Sequence, residues 1–149
     1  MVDDSDYERV MELGSWRLDR YVKRTKYIAT VNGKQIAKTI LLHRFIMNPP
    51  IGVQVDHIDR DVLNNQKSNL RLCSSIQNSY NRNIQKSNTS GYKGVVWVQK
   101  KKRWRAVICF DSKTKSLGYH KCKHEAARAY NAAALIHHGE FARLNEILE

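Results

Sequence analysis

Apolar and polar positions divide the chain into segments of different period. Between residues 16 and 31, Tyr21, Val22, Tyr27, Ile28 and Val31 are β-branched or aromatic, as a strand requires. Asn32-Gly33 follows, and because both residues tolerate a positive φ the pair predicts a tight hairpin turn. Residues 35–39 return as the second strand. TILLHRFIM, residues 39–47, reads as a short helix stopped by Pro49-Pro50, since proline has no N–H with which to continue it. Residues 53–83 alternate a short strand (Val53, Val55), a polar loop, another strand (Leu70, Arg71, Leu72) and a helix from about Ser74. The polar stretch 84–90 predicts a linker. Strands are expected at 94–98, 104–110 and 116–119, then an alanine-rich helix from about His124 to His137, closed by Gly139.

Charge changes this picture from a generic mixed fold to one with a partner. The 149 residues include 26 Lys and Arg against 14 Asp and Glu, a net charge of +12, which favours a polyanion: nucleic acid or an acidic membrane surface. No run of eighteen apolar residues predicts a membrane span. The first twenty residues are acidic and lack an apolar stretch, so no secretory signal is expected. Cys73, Cys109 and Cys122 are an odd, widely spaced set that argues against a disulfide framework, which predicts a reducing compartment, the cytoplasm. Residues 1–19 hold six acids and two bases, whereas residues 82–123 hold twelve bases and the single acid Asp111. Tyr92, Trp97, Trp104, Phe110 and Tyr119 interleave those bases. Aromatic residues need a core, so this stretch folds and presents its charge on one surface, as a nucleic-acid binder does. The acidic head has no assigned role; masking of the basic surface is one option.

The middle segment holds the candidate chemistry. Asp56-His57 ends a predicted strand, Asn69 follows His57 by twelve residues, and Asn78 lies nine further on in the next helix. A strand–loop–strand–helix unit of this length folds back on itself and brings a carboxylate, an imidazole and a carboxamide together. Asp56 and Asn78 offer hard oxygen ligands suited to Mg²⁺. His57, with a reference pKa of about 6.5, accepts a proton from water near neutral pH. Metal and base together are what phosphodiester hydrolysis needs. Asp59, Asp61, Asn64 and Asn65 read as turn formers and loop hydrogen-bonders, and His43 as a structural residue of the helix face.

The whole string VDHIDRDVLNNQKSNLRLCSSIQNSYNR, with LLHRFIMNPP before it, resembles the HNH endonucleases, in particular phage-type homing endonucleases whose third motif residue is Asn. The resemblance covers about residues 40–83 and implies a ββα-metal module. It gives Asp56 and Asn78 as ligands of one divalent ion, Mg²⁺ or Mn²⁺. His57 is then the general base, and Asn69 the residue that braces the loop and helps orient that base. It also implies products with 5′ phosphate and 3′ hydroxyl, from a cut in one strand or both.

The strings SGYKGVVWVQKKKRWRAVICF, SLGYH and EAARAYNAAALIHHGEFARLN resemble the APETALA-type DNA-binding domain over residues 88–145. That resemblance implies a three-stranded antiparallel sheet laid on double-stranded DNA with one helix packed behind it, and Trp97, Trp104 and Leu117 mainly in the core. The candidate DNA contacts are Lys93, Gln99, Lys100, Lys101, Lys102, Arg103, Arg105, Lys113 and Lys115. Val96, Val98, Val107 and Cys109 fall where plant members carry arginines, so the Lys-rich turn at 100–103 is expected to grip phosphates instead. Lys23, Arg24 and Lys26 of the first hairpin are expected to add backbone contacts.

The expected fold class is α+β. The expected domains are an acidic segment and hairpin at 1–38, the nuclease module at 39–83, a linker at 84–90 and the DNA-binding domain at 91–149. The expected function is a metal-dependent DNA endonuclease, phage- or intron-encoded, acting in the host cytoplasm. No heptad or apolar stripe predicts a protein partner, so a monomer is expected. The rival is a non-catalytic DNA-binding regulator with a relic motif, which ranks behind because Asp56, His57 and Asn78 are all present. RNA binding fits the charge but not the APETALA-like half. His120, Cys122 and His124 alternate, but without a CxxC no zinc site is assigned, and Cys122 is expected to cap a helix.

Overall fold

The computed structural model describes residues 1–147 and separates them into two units, Met1–Ser75 and a second that begins at Ile76. In the first unit the Asn-Gly turn organises the longest element. Asn32 and Gly33 have φ of 51° and 74°, and the turn pairs Val31 of β2 (Val22–Val31) with Lys34 of β3 (Lys34–Leu41). A short β1 (Arg17–Leu18) joins β2 to complete an antiparallel sheet. The ladder keeps residues 39–41 in β3, opposite Thr25, Arg24 and Lys23, so α2 (Leu42–Met47) starts later than the sequence suggested. It ends on Asn48, whose φ of 41° turns the chain toward the two prolines. β4 (Gln54–His57) and β5 (Leu70–Cys73) form an antiparallel hairpin.

Val10, Leu42, Ile46, Val55 and Leu70 make the core of this unit, with Trp16, Val22 and Phe45 against it. Burying each such side chain contributes about 1.5–3 kcal/mol. Val10 belongs to α1 (Asp4–Glu12), a helix formed by the acidic head. Its inner face carries Asp6 beside Val10, a buried carboxylate in a segment that reads as acidic surface.

α3 (Ser75–Asn81) begins at the boundary. β6 (Val95–Val98), β7 (Arg103–Phe110) and β8 (Lys113–His120) then form an antiparallel sheet in the order β6-β7-β8, covered on one face by α4 (Lys123–His138). Ala126, Ala127, Ala133 and Ala134 let the helix lie close to Val95, Ala106 and Ile108. Gly94 is needed at its place: its φ is +73°, and a Cβ there would sit 2.0 Å from the Tyr130 ring. Trp104 and Leu117 pack on this core as expected, but Trp97 is 42% exposed, leaning on Trp104 at the open end of the sheet.

The units separate ahead of residues 84–90, where the linker was placed. The reason is local. The Lys93 ammonium donates to the carbonyls of Tyr80 and Arg82, Arg143 donates to Arg82 and Asn83, and Tyr80 stacks on His138 at 3.7 Å. The end of α3 is thereby tied to the second unit.

Candidate active site and nucleic-acid interface

Register places Asp56 of β4 opposite Arg71 of β5. The guanidinium donates twice to Asp56 Oδ2, from Nε at 3.0 Å and from an Nη at 2.8 Å, and both side chains are almost fully buried. A buried carboxylate needs such a partner to stay ionised. The same charge, after burial itself, pushes the thiol of Cys73 up, so this cysteine remains a thiol.

Alternation along β4 sends His57 the other way, toward α2. Its ring lies 5.1 Å from that of His43, edge to face, and stacks against Tyr21 at 6.3 Å. Burial, then the charges of His57 and Arg44, push His43 down to about 4, so it is neutral beside His57 at physiological pH. His57 Nε2 is 3.2 Å from Asn65 Oδ1. Asn65 Nδ2 donates to the Val62 carbonyl at 3.1 Å, which fixes the amide with its oxygen toward the ring. Nε2 therefore carries a proton and donates it to Asn65.

The loop between the strands is closed by Asn69. Its Oδ1 accepts from the Asp59 N–H at 3.0 Å, and its Nδ2 donates to Asp59 Oδ1 and to the Asn64 carbonyl, each at 2.8 Å. Asp59 and Asp61 accept from the N–H groups of Asp61 and Leu63 in successive Asx turns, the turn-forming role expected of them. Burial opposes ionisation of Asp59, but hydrogen bonds from Asn64, the Asp61 N–H and Asn69 hold its carboxyl below the ordinary value. Asn69 closes the loop, while the direct contact to His57 comes from Asn65.

This hairpin, its loop and the start of α3 fall in residues 48–80, which match the family model "HNH endonuclease". Over 112 residues the chain is 38% identical to "Uncharacterized HNH endonuclease L560" of Acanthamoeba polyphaga mimivirus, covering 71% of this chain and 57% of that protein. Over 94 residues it is 36% identical to "Protein 3.8" of Escherichia phage T7, covering 63% of this chain and 77% of the relative. The chain belongs to the family of protein 3.8 and carries an HNH endonuclease domain. No solved structure matches it.

Within the HNH domain, Asp56, His57 and Asn69 lie in the first unit, and Asn78 lies on α3 in the second. Three side chains that were not candidates from sequence touch His57 or Asp56: Asn65, His43 and Arg71. Arg71 was legible as a strand residue, and the register of the hairpin sets it opposite Asp56. Asn65 could not be picked out, because only the path of the loop separates it from Asn64, whose amide donates to Asp59. Among the described residues no group of three or more His, Cys, Asp and Glu side chains forms a metal site. Asp56 is a carboxylate, the hard oxygen donor that a divalent ion such as Mg²⁺ takes alongside water and substrate phosphate.

In the second unit the predicted DNA contacts divide. Lys93 is committed internally, its ammonium holding the end of α3 and its N–H donating to Asn145. Lys100 and Lys101 lie on a single 3-10 turn with Gln99, whose side chain accepts from Trp97 Nε1, and Lys102 follows with φ of 47°. Lys101 lies over the Tyr119 ring at 3.8 Å. Arg103 and Arg105 project from the sheet face away from α4, with Arg105 donating to Ser116. Lys113 and Lys115 pair with Phe110 and Ile108, so they leave the sheet on its helix-covered side. Cys122 caps α4, its Sγ accepting from the His124 N–H, which accounts for it without zinc.

Proposed function

We propose that the chain is a homing-type, metal-dependent DNA endonuclease in which His57 is the general base and Asp56 and Asn78 hold one divalent ion, Mg²⁺ or Mn²⁺. The observation that carries this reading is the state of His57. It is buried at the end of β4 beside a neutral histidine, with its Nε2 held by the Asn65 amide oxygen and its ring fixed between His43 and Tyr21. In this reading His57 draws a proton from the attacking water, the new P–O bond forms as the P–O3′ bond breaks, and the departing 3′ oxygen takes a proton from solvent to become the 3′ hydroxyl. When bound, the ion supplies charge stabilisation at the scissile phosphate and the departing oxygen. Asn69 keeps the loop closed, and Arg71 holds the Asp56 carboxylate in place.

The second unit is proposed as an APETALA-like DNA-binding domain. It grips backbone through Lys100, Lys101 and Lys102, with Arg103 and Arg105 on the open sheet face near base edges. The β2–β3 hairpin, with Lys23, Arg24, Lys26, Lys34 and Lys38 and no acid, adds a second basic surface. The protein acts as a monomer in the host cytoplasm.

The test incubates cognate DNA with the protein and Mg²⁺, with and without chelator, and compares His57→Ala. The unaltered protein is expected to cut only with metal. The variant is expected to bind DNA equally and cut about 10²–10⁴-fold more slowly. Binding without cutting by both proteins overturns the reading in favour of a regulator.

A further inference from the structure

The acidic first residues take no part in the chemistry proposed above, yet they are tied to one loop. The Asn65 N–H donates to the Met1 carbonyl at 2.8 Å, and the Lys67 N–H donates to Asp3 Oδ2 at 2.8 Å. The Lys67 ammonium pairs with Asp6 at 2.9 Å, and Asp6, 2% exposed, also pairs with Arg9 at 2.6 Å. Every polar group of the Asn65 amide and backbone donor is then engaged: N–H with Met1, Nδ2 with Val62 and Oδ1 with His57. The loop has little apolar anchorage of its own, since Leu63 is 44% exposed. A polar loop of this kind has no hydrophobic reason to keep one conformation, and hydrogen bonds select it: those of Asn69 and the Asx turns within it, and those of Met1 and Asp3 at the 65–67 end.

We infer that residues 1–6 are a positioning strap for the catalytic base: they hold the 61–67 loop, the loop fixes Asn65, and Asn65 fixes the ring orientation and tautomer of His57. The inference rests on the nuclease reading of His57 for its catalytic meaning, but the mechanical link can be measured without any cleavage. Asp3 accepts from a backbone N–H, a task that does not need its charge, whereas Asp6 meets the charges of Lys67 and Arg9. The strap therefore depends on the acceptor at Asp3 and is indifferent to an exposed acid such as Glu8.

The experiment uses the full chain as wild type, Asp3→Ala, Asp3→Asn and Glu8→Gln. It reads amide hydrogen exchange at Asn65 and Lys67, the ring ¹⁵N signals of His57, DNA affinity and single-turnover cleavage with Mg²⁺. Asp3→Ala is expected to speed exchange at both amides about fivefold to tenfold, the worth of roughly one hydrogen bond. It is also expected to move the ring signals away from a single Nε2–H tautomer. Cleavage should slow by a similar factor while DNA affinity stays within about twofold. Asp3→Asn, which keeps an acceptor oxygen, should restore all three readouts, and Glu8→Gln should match wild type. Unchanged exchange and ring signals in Asp3→Ala overturn the strap, as does an Asp3→Asn variant impaired to the same degree. If Asp3→Ala does not fold, Lys67→Met cuts the Asp6 link and keeps the Asp3 bond. It should give the same ring change at smaller amplitude, and its absence overturns the inference. Failure of the unaltered protein to cut DNA rejects the nuclease reading alone, because exchange and ring signals still decide the strap.

Discussion

Replacing Arg71 by Met tests the proposed metal site without relying on catalysis. Arg71 and Asp56 have side-chain exposures of 12% and 8% and share a two-point contact on one carboxylate oxygen. With an effective dielectric constant near 20 and charge centres about 4 Å apart, their attraction is about 4 kcal/mol. Removing the guanidinium takes from the buried carboxylate its two-point counter-charge, a loss of about 3–5 kcal/mol. Amide hydrogen exchange at Val55 and Leu70 reads this first unit separately from the second. Without metal, Arg71→Met should lose protection by that amount, or to the full stability of the unit if that is smaller. A divalent ion that binds Asp56 should then return part of the loss, about 2.7 kcal/mol when present at a hundredfold excess over its Kd. The return should exceed the gain seen in wild type, where the guanidinium already neutralises the carboxylate. Adding Asp56→Asn to the variant should abolish it. A loss below about 1 kcal/mol, or a variant that Mg²⁺ and Mn²⁺ leave unchanged, would refute the reasoning.

Two further outcomes follow from the same geometry. Burial holds the folded-state pKa of His43 at about 4, below its ordinary 6.5, so the unfolded chain takes up the proton first. Stability is therefore complete above about pH 6.5 and falls by up to roughly 3 kcal/mol as pH drops toward 4. Urea midpoints across this window should show a smaller pH slope in His43→Phe, and an identical slope would show that His43 does not carry the effect. Changing Lys100, Lys101 and Lys102 to Gln should reduce the slope of log affinity against log salt by about 0.9 for each phosphate that a lysine no longer neutralises. Fluorescence anisotropy on duplex DNA measures this, and an unchanged slope would place the phosphate grip elsewhere.

Much of the architecture was legible because its signals are local. Asn32-Gly33 dictates a turn whatever surrounds it, and the alternation through residues 103–110 dictates a strand with one face on a helix. α1 was not anticipated because the residue it buries beside Val10 is Asp6, and a carboxylate in an acidic segment reads as a solvent-facing residue. At the site, spacing was enough to pick out Asp56 and His57 but not their partners. Asn64 and Asn65 are chemically the same, and only a loop closed by Asn69 turns one to Asp59 and the other to His57. Lys93 shows the same limit among the bases. Its charge looks like that of Lys100 in sequence, yet the nearby carbonyls of Tyr80 and Arg82 claim it.

The alanine face of α4 has a consequence for how this family can drift. Ala126, Ala127 and Ala134 have no exposed surface, so any added carbon must lift the helix from the sheet. On the opposite side Leu135 and Ile136 are 57% and 78% exposed and meet no such restriction. Substitutions should therefore accumulate on the outer surface of this helix and be purged from the inner one, leaving a record of its orientation in any set of related phage sequences.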